Sequence, residues 1–318
     1  MRHLRADLAG LARDGFTYVV HTFSENDLRF FAGTMREAVA ATHEVGLRAV
    51  LDPWGVGDVF GGEADTAWVS QFPELRQVRD DGRPLPIACP NHPRFRELMG
   101  AWVEAAAATG ADALFWDEPH LYIPKWAGDD EARWACRCDA CQALFRERHG
   151  APMPAARTAE VEAFRRETVA GFVRYLCAEG RRRGLENQLC LLPDEFAPGA
   201  GMGWDEASAL ADLDVFGTDP YWALVGREPE DFVGGYARRA AELCARAGKR
   251  AQIWIQGFKL AAGREEEIAR AVRAAAEAGV RDLAFWGYEA CHAASSIRCG
   301  DAPRAWDVLR RAFRELRG

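Results

Sequence analysis

Short apolar runs alternate with longer Ala-, Arg- and Glu-rich segments of helical period along nearly the whole chain. Strand candidates cover residues 16–22, 47–52, 86–89, 113–117, 189–193, 215–218, 251–255 and 283–286. Helix candidates cover 28–45, 94–108, 130–149, 160–183, 230–247, 265–278 and 303–316. Gly46, Gly110, Gly184, Gly248 and Gly279 each follow a helix and precede a strand by a few residues, the place of a C-cap glycine. Eight strands alternating with helices in 318 residues predict an α/β fold, a single (β/α)8 TIM barrel spanning 1–318. A doubly wound sheet is the competing architecture. Its nucleotide-binding form would carry a G-x-G-x-x-G turn after the first strand, and none stands there.

Three of the nine cysteines fall in the run Cys136-Arg137-Cys138-Asp139-Ala140-Cys141, with Cys89 a distant fourth. Four thiolates at such spacing make a tetrahedral ligand set for a structural Zn²⁺. The metal would pin the loop that follows Trp116-Asp117-Glu118-Pro119, the fourth predicted strand end. The remaining cysteines are scattered and sit mostly in apolar runs, which fits buried reduced thiols and a cytoplasmic protein.

A net charge of −8 argues against a nucleic-acid partner. No apolar stretch approaches the length of a membrane span, and the first residues lack an apolar signal core. Eleven tryptophans is a high count, and several stand at predicted strand ends, where sugar sites use flat aromatic faces.

In a barrel the active site forms at the C-terminal strand ends. Read in order, those ends offer His21; Asp52 and Trp54; Cys89, Asn91 and His92; Asp117, Glu118 and His120; Asp194 and Glu195; Asp219, Tyr221 and Trp222; Gln256 and Lys259; and Trp286, Tyr288, Glu289 and His292. Paired carboxylates among aromatic rings suit glycosidic bond cleavage, in which one carboxyl protonates the leaving oxygen and another stabilises an oxocarbenium-like centre. The candidate catalytic residues are Glu118, Asp117, Glu289 and Asp219. The candidate substrate residues are His21, Asp52, Trp54, His120, Asp194, Tyr221, Trp222, Gln256 and Trp286. Adjacent strand residues point to opposite faces, so Asp117 and Glu118 share a cavity only if the backbone turns out of the strand. Pro119 is expected to hold Glu118 extended.

At these residues the chain resembles glycoside hydrolase family 42, the β-galactosidases of a retaining clan of barrel hydrolases. Phe72-Pro73-Glu74-Leu75, Asp81-Gly82-Arg83 and Cys89-Pro90-Asn91-His92-Pro93-Arg94-Phe95-Arg96-Glu97 are similar to the family's segment before its fourth strand. The cysteine run with Phe145-Arg146 is similar to its zinc loop, and Leu213-Asp214-Val215-Phe216 with Asp219-Pro220-Tyr221 to its sixth strand. The resemblance implies a zinc site of Cys89, Cys136, Cys138 and Cys141. It also places the family's Asn-Glu on Asp117-Glu118, making Glu118 the implied acid/base. It covers 16–150 best. The family's nucleophile is a glutamate at the end of strand seven, where this chain reads Gln252-Ile253-Trp254-Ile255-Gln256-Gly257, with no carboxylate.

Three routes around that gap are open: another carboxylate such as Glu289 as nucleophile, a substrate that supplies its own 2-acetamido group, or an inverting mechanism with Asp219 or Glu289 activating water. Two other classes compete. A divalent-metal sugar isomerase or epimerase would use Glu118, Asp219, Glu289 and His292 as ligands. A non-catalytic barrel would bind carbohydrate without turnover. A homo-oligomer is possible in any of these.

Overall fold

The computed structural model describes residues 1–193, 196, 201–292 and 295–316. The predicted substrate residue Asp194, with Glu195, lies outside them. The chain divides into two compact units.

The first unit comprises Met1–Ala12, Phe16–Leu189 and Ala197–Leu213. It runs α1 (Arg2–Asp14), β1 (Tyr18–Thr22), α2 (Glu25–Phe30), α3 (Ala32–Glu44), β2 (Arg48–Asp52), α4 (Trp68–Gln71), β3 (Arg76–Val78), β4 (Pro84–Ala88), α5 (Pro93–Ala108), β5 (Ala113–Asp117), α6 (Asp139–His149), α7 (Ala159–Arg182), β6 (Glu186–Cys190) and α8 (Trp204–Ser208). β1 pairs in parallel with β2, and β2 with β5 in the register Leu51↔Leu114, which sets the exits of β2 and β5 side by side. β6 lies on the other side of β5.

One predicted barrel strand is not in that sheet. Residues 86–89 fall in β4 and just beyond it, and β4 pairs antiparallel with β3 as a separate two-stranded hairpin. The hairpin captures the loop after β5: Arg79 bridges Ala135, Asp80 N–H donates to Trp134 O at 2.9 Å, and Arg137 N–H to Val78 O at 2.7 Å. Buried Gln77 joins the same pieces, donating to Ala88 O and accepting from Tyr122 N–H. An apolar run of four residues carries no record of such non-local pairing, so the eight-strand expectation is corrected to seven parallel-type strands plus a hairpin among the described residues. The helix expected at 130–149 starts only at Asp139, because 130–138 is spent on this capture.

The core beneath the strand exits is aromatic. Trp102 packs on Phe23 and Trp116, and Phe60 on Trp116 and Phe172, with ring centroids 5.7–6.1 Å apart. The two indole N–H groups donate to Phe23 O at 2.9 Å and to Asn187 Oδ1 at 3.1 Å. Much of the tryptophan content is therefore core, with its polar edges satisfied.

The second unit comprises Arg13–Gly15, Cys190–Phe196 and Asp214–Gly318. It holds β7 (Val215–Thr218), α9 (Pro229–Ala247), β8 (Arg250–Gln256), α10 (Glu266–Glu277), β9 (Asp282–Trp286) and α11 (Ala302–Glu315). β7, β8 and β9 are parallel neighbours. Helix α10 buries Ile268, Ala271, Val272 and Ala275 at i, i+3, i+4 and i+7, the stripe that seats a helix on a sheet. Full burial of a residue such as Ile268 or Val272 contributes roughly 1.5–3 kcal/mol. The five C-cap glycines all adopt positive φ, from +68° to +90°, which a side chain would strain.

Candidate active site

The end of β5 carries one of the two left-handed non-glycine residues described in the first unit, the other being Asp58. Glu118 has φ +45°, a left-handed conformation that an ordinary side chain adopts only at a cost of about 1–3 kcal/mol. The expectation that Pro119 keeps Glu118 extended is thereby corrected. The left-handed turn takes the chain out of the strand at Glu118 and breaks the alternation that would send Asp117 and Glu118 to opposite faces. His120 helps hold the turn. Its Nδ1 lies 2.6 Å from Glu118 O, so Nδ1–H donates there, and its own N–H donates to Val59 O at 3.0 Å. Burial lowers the His120 pKa to about 4, against the smaller opposing effect of the Glu118 carbonyl, so the ring is neutral at pH 7.

Asp52, at the exit of β2, is 3% exposed, and its Oδ1 is buried without a hydrogen-bond partner. Burial, then the charges of Asp117 and Glu118, push its pKa well above the usual carboxylate range. Burial, then Glu118 and Glu63, do the same to Asp117. Burial first, and neighbouring negative charge second, thus let Asp52 and Asp117 hold protons at pH values where isolated acids have lost them. Such a set can donate a proton at one position and keep charge at another.

The loop over these acids is fitted to them. Gly61 N–H donates to Asp117 O at 3.0 Å, and a Cβ on Gly61 would stand 2.2 Å from Asp117 Oδ2. Gly62 lies on the indole of Trp54, so one face of that predicted platform is covered. The loop's anchor is a residue absent from the sequence expectations. Buried Glu25 accepts from Gly57 N–H at 2.9 Å, Thr66 Oγ1–H at 2.7 Å and Trp68 N–H at 2.8 Å. Its position in the first turn of α2, beside the Ser24–Asp27 capping box, reads in sequence as a solvated helix start.

Other predicted substrate residues are placed differently. His21 Nε2 is 2.9 Å from Thr42 Oγ1 on α3, so its ring is engaged with a helix rather than with the acids. Burial lowers it to about 4. In the second unit, Trp222 is fully buried and its Nε1–H donates to Glu267 at 2.7 Å. Gln256 is also fully buried. Its Oε1 accepts from Ala223 N–H and its Nε2 donates to Phe258 O. Both act as internal braces instead of open sugar contacts, Trp222 against Glu267 of α10 and Gln256 against the turns after β7 and β8. Asp219 is 2% exposed at the exit of β7, with its carbonyl accepting from Tyr221 N–H. Tyr221 meets Phe258 edge-on at 4.9 Å. Trp286 is partly exposed, and Glu289 is exposed at φ +49°.

Cys89, Cys136, Cys138 and Cys141 are buried, and their Sγ atoms all lie within 4.8 Å of one another, with Cys89 and Cys141 at 3.4 Å. Tetrahedral Zn–S bonds of about 2.3 Å imply S···S separations of about 3.8 Å, so the set fits a metal ion. Val78 N–H, Cys138 N–H and Asn91 Nδ2 each lie 3.4 Å from a cluster sulfur, and Asn91 Nδ2 also donates to Thr168 Oγ1 at 2.8 Å. Donors aimed at sulfur stabilise thiolate charge and orient the ligands. Hydrogen bonding among the four side chains pushes the pKa of Cys89 and Cys141 up and that of Cys138 down, as expected of sulfurs that cannot all ionise without a cation.

No protein-family model and no curated protein sequence matches the chain. In structure it is similar to a GH42 β-galactosidase from G. stearothermophilus, with a TM-score of 0.71 and 12% identity over 99% of this chain and 54% of that one. The chain therefore spans about half the length of that enzyme. The glycoside hydrolase domain of PgaB (BpsB) from Bordetella bronchiseptica gives a TM-score of 0.62 at 12% identity, covering 97% of this chain and 93% of that one. The endo-1,4-β-mannanase of Rhizomucor miehei gives 0.61 at 10% identity, covering 98% and 91%. The chain thus has the α/β fold of GH42-like, clan A glycoside hydrolases. Among the described residues no helix is long and apolar enough to cross a membrane.

Proposed function

We propose that this protein is a glycoside hydrolase acting on a carbohydrate, with Glu118 as general acid/base and Asp117 assisting. The observation that carries the reading is the left-handed turn at Glu118 beside two carboxyls, Asp52 and Asp117, whose pKa values are raised. Strain of this kind collects at working sites, and the fold shared with glycosidases supports the choice of chemistry. Glu118 would give its proton to the glycosidic oxygen as the bond to the anomeric carbon breaks, then take a proton from the incoming water. Asp117 would orient the group that attacks the anomeric carbon and take up charge there. Since residues 252–257 offer no carboxylate and Gln256 is used internally, a 2-acetamido group of the substrate is the first candidate for that attacking group. Glu289 as nucleophile ranks below it, and a water-activating base follows. Zn²⁺ held by Cys89, Cys136, Cys138 and Cys141 would be structural, a closed set with no open position for catalysis. The isomerase alternative is less favoured, because among the described residues the four cysteines are the only clustered metal donor group.

The Glu118→Gln variant tests the assignment. Turnover of an unactivated oligosaccharide should fall about 10²–10⁴-fold, with a smaller loss on a nitrophenyl glycoside whose leaving group needs no proton. Equal losses on both would count against the acid role, and wild-type rates would remove it.

A further inference from the structure

Trp126 is 51% exposed, a large apolar ring left open on a loop that is otherwise tied down on all sides. The tip 123–129 is closed by its own backbone: Trp126 N–H donates to Ile123 O, Ala127 N–H to Pro124 O, and Asp129 N–H to Pro124 O, at 3.0–3.1 Å. Asp129 accepts from Arg79 at 2.7 Å and from the Tyr122 hydroxyl. Further along, the same loop enters the cysteine cluster at Cys136 and Cys138. The ring is therefore presented on a rigid support. Its position is also specific. The indole meets the His120 ring edge-to-face at 5.0 Å, and that same His120 is bonded to the Glu118 carbonyl at 2.6 Å. The other exposed aromatics described in this unit, Phe30 and Phe31, pack on each other at the α2–α3 junction, with Arg29 over the Phe30 ring.

Resting on the hydrolase reading above, we infer that Trp126 is a carbohydrate-stacking platform for the sugar unit on the leaving-group side of Glu118. A sugar ring presents a C–H face that an indole covers, and a pre-positioned aromatic ring loses little conformational entropy on binding. Glu118, as the acid, must touch the leaving oxygen, and Trp126 stands one imidazole away from the backbone turn that carries that acid. The anchored loop then explains the placement of the cysteine cluster: it holds a binding surface still, at a distance from the bond that breaks.

The test uses the 318-residue chain, zinc-loaded and carrying Glu118→Gln, so that ligands persist. Binding is measured by calorimetry with the β-1,4-linked tetrasaccharides of glucose, galactose, mannose and N-acetylglucosamine. At least one should bind. Adding Trp126→Ala should weaken it about tenfold, while Trp126→Phe should keep most of the affinity. Zinc content and melting temperature should not move in either variant, since the side chain is half exposed. Unchanged affinity in Trp126→Ala overturns the platform and leaves the hydrolase reading intact. If no tetrasaccharide binds and the wild-type protein hydrolyses none of them, both fall.

Discussion

Replacing Gly61 by alanine probes whether Asp117 has to stand where the loop puts it. Gly61 does not adopt positive φ, so alanine is permitted by the backbone. Its Cβ, however, would come 2.2 Å from Asp117 Oδ2 and 2.8 Å from Cγ, whereas ordinary contact begins near 3.4 Å. Something must withdraw by about 1.2 Å, the difference between 3.4 and 2.2 Å. The loop resists, because Glu25 holds it through Gly57, Thr66 and Trp68. The carboxyl of Asp117 is the freer party, so it moves. A displacement of about 1 Å in a positioned reacting group costs about 100-fold in rate. The assay is kcat/KM on the best nitrophenyl glycoside, beside a Gly33→Ala control. Gly33, in α3, has nothing within 4 Å of an added methyl and should be neutral, or more stable by up to about 1 kcal/mol. A Gly61→Ala protein with wild-type kcat/KM and wild-type melting would overturn the claim that this contact sets the position of Asp117.

Three further outcomes follow from the same geometry. Glu25→Ala strands two buried backbone N–H donors, at about 1–3 kcal/mol each, so unfolding free energy should fall by roughly 2–6 kcal/mol; a loss below about 0.5 kcal/mol in denaturant titration would exclude the anchor role. Cys138→Ser should lower bound zinc from one equivalent and make the 119–138 loop protease-sensitive, and purified wild-type protein without stoichiometric metal would sink the zinc assignment. Asp52 has a raised folded pKa, so the stability it supplies is present below the ordinary carboxylate range and is lost as pH rises through the folded value. Asp52→Asn should therefore melt increasingly above wild type as pH is taken from about 4 to 8, and a difference that stays flat with pH would contradict the burial of an ionisable proton there.

Whatever depends on local order could be read from the residues alone. Strand and helix alternation, the helix ends at Gly46, Gly110, Gly184, Gly248 and Gly279, and the exit of β5 at Asp117 were legible because periodicity and backbone preference act within a few residues. The cysteine cluster was legible too, because C-x-C-x-x-C is short enough to act as one unit that needs only one distant partner. Where side chains ended up once chain segments far apart in sequence met was a matter for the assembled fold. The run 86–89 became hairpin instead of barrel strand because its partner is β3 and the hairpin serves the loop after β5. Trp222 and Gln256 stand at strand exits as sugar-binding residues would, yet both are buried and their polar atoms are used internally. Asp52 belongs with Asp117 because parallel pairing sets β2 against β5, and no spacing rule links positions so far apart. Glu25 looks like a helix-start acid until Gly57, Thr66 and Trp68 are brought to it. Burial and the pairing of distant segments are properties of the assembled chain, which is why the residues that hold the acids in place were the ones the sequence concealed.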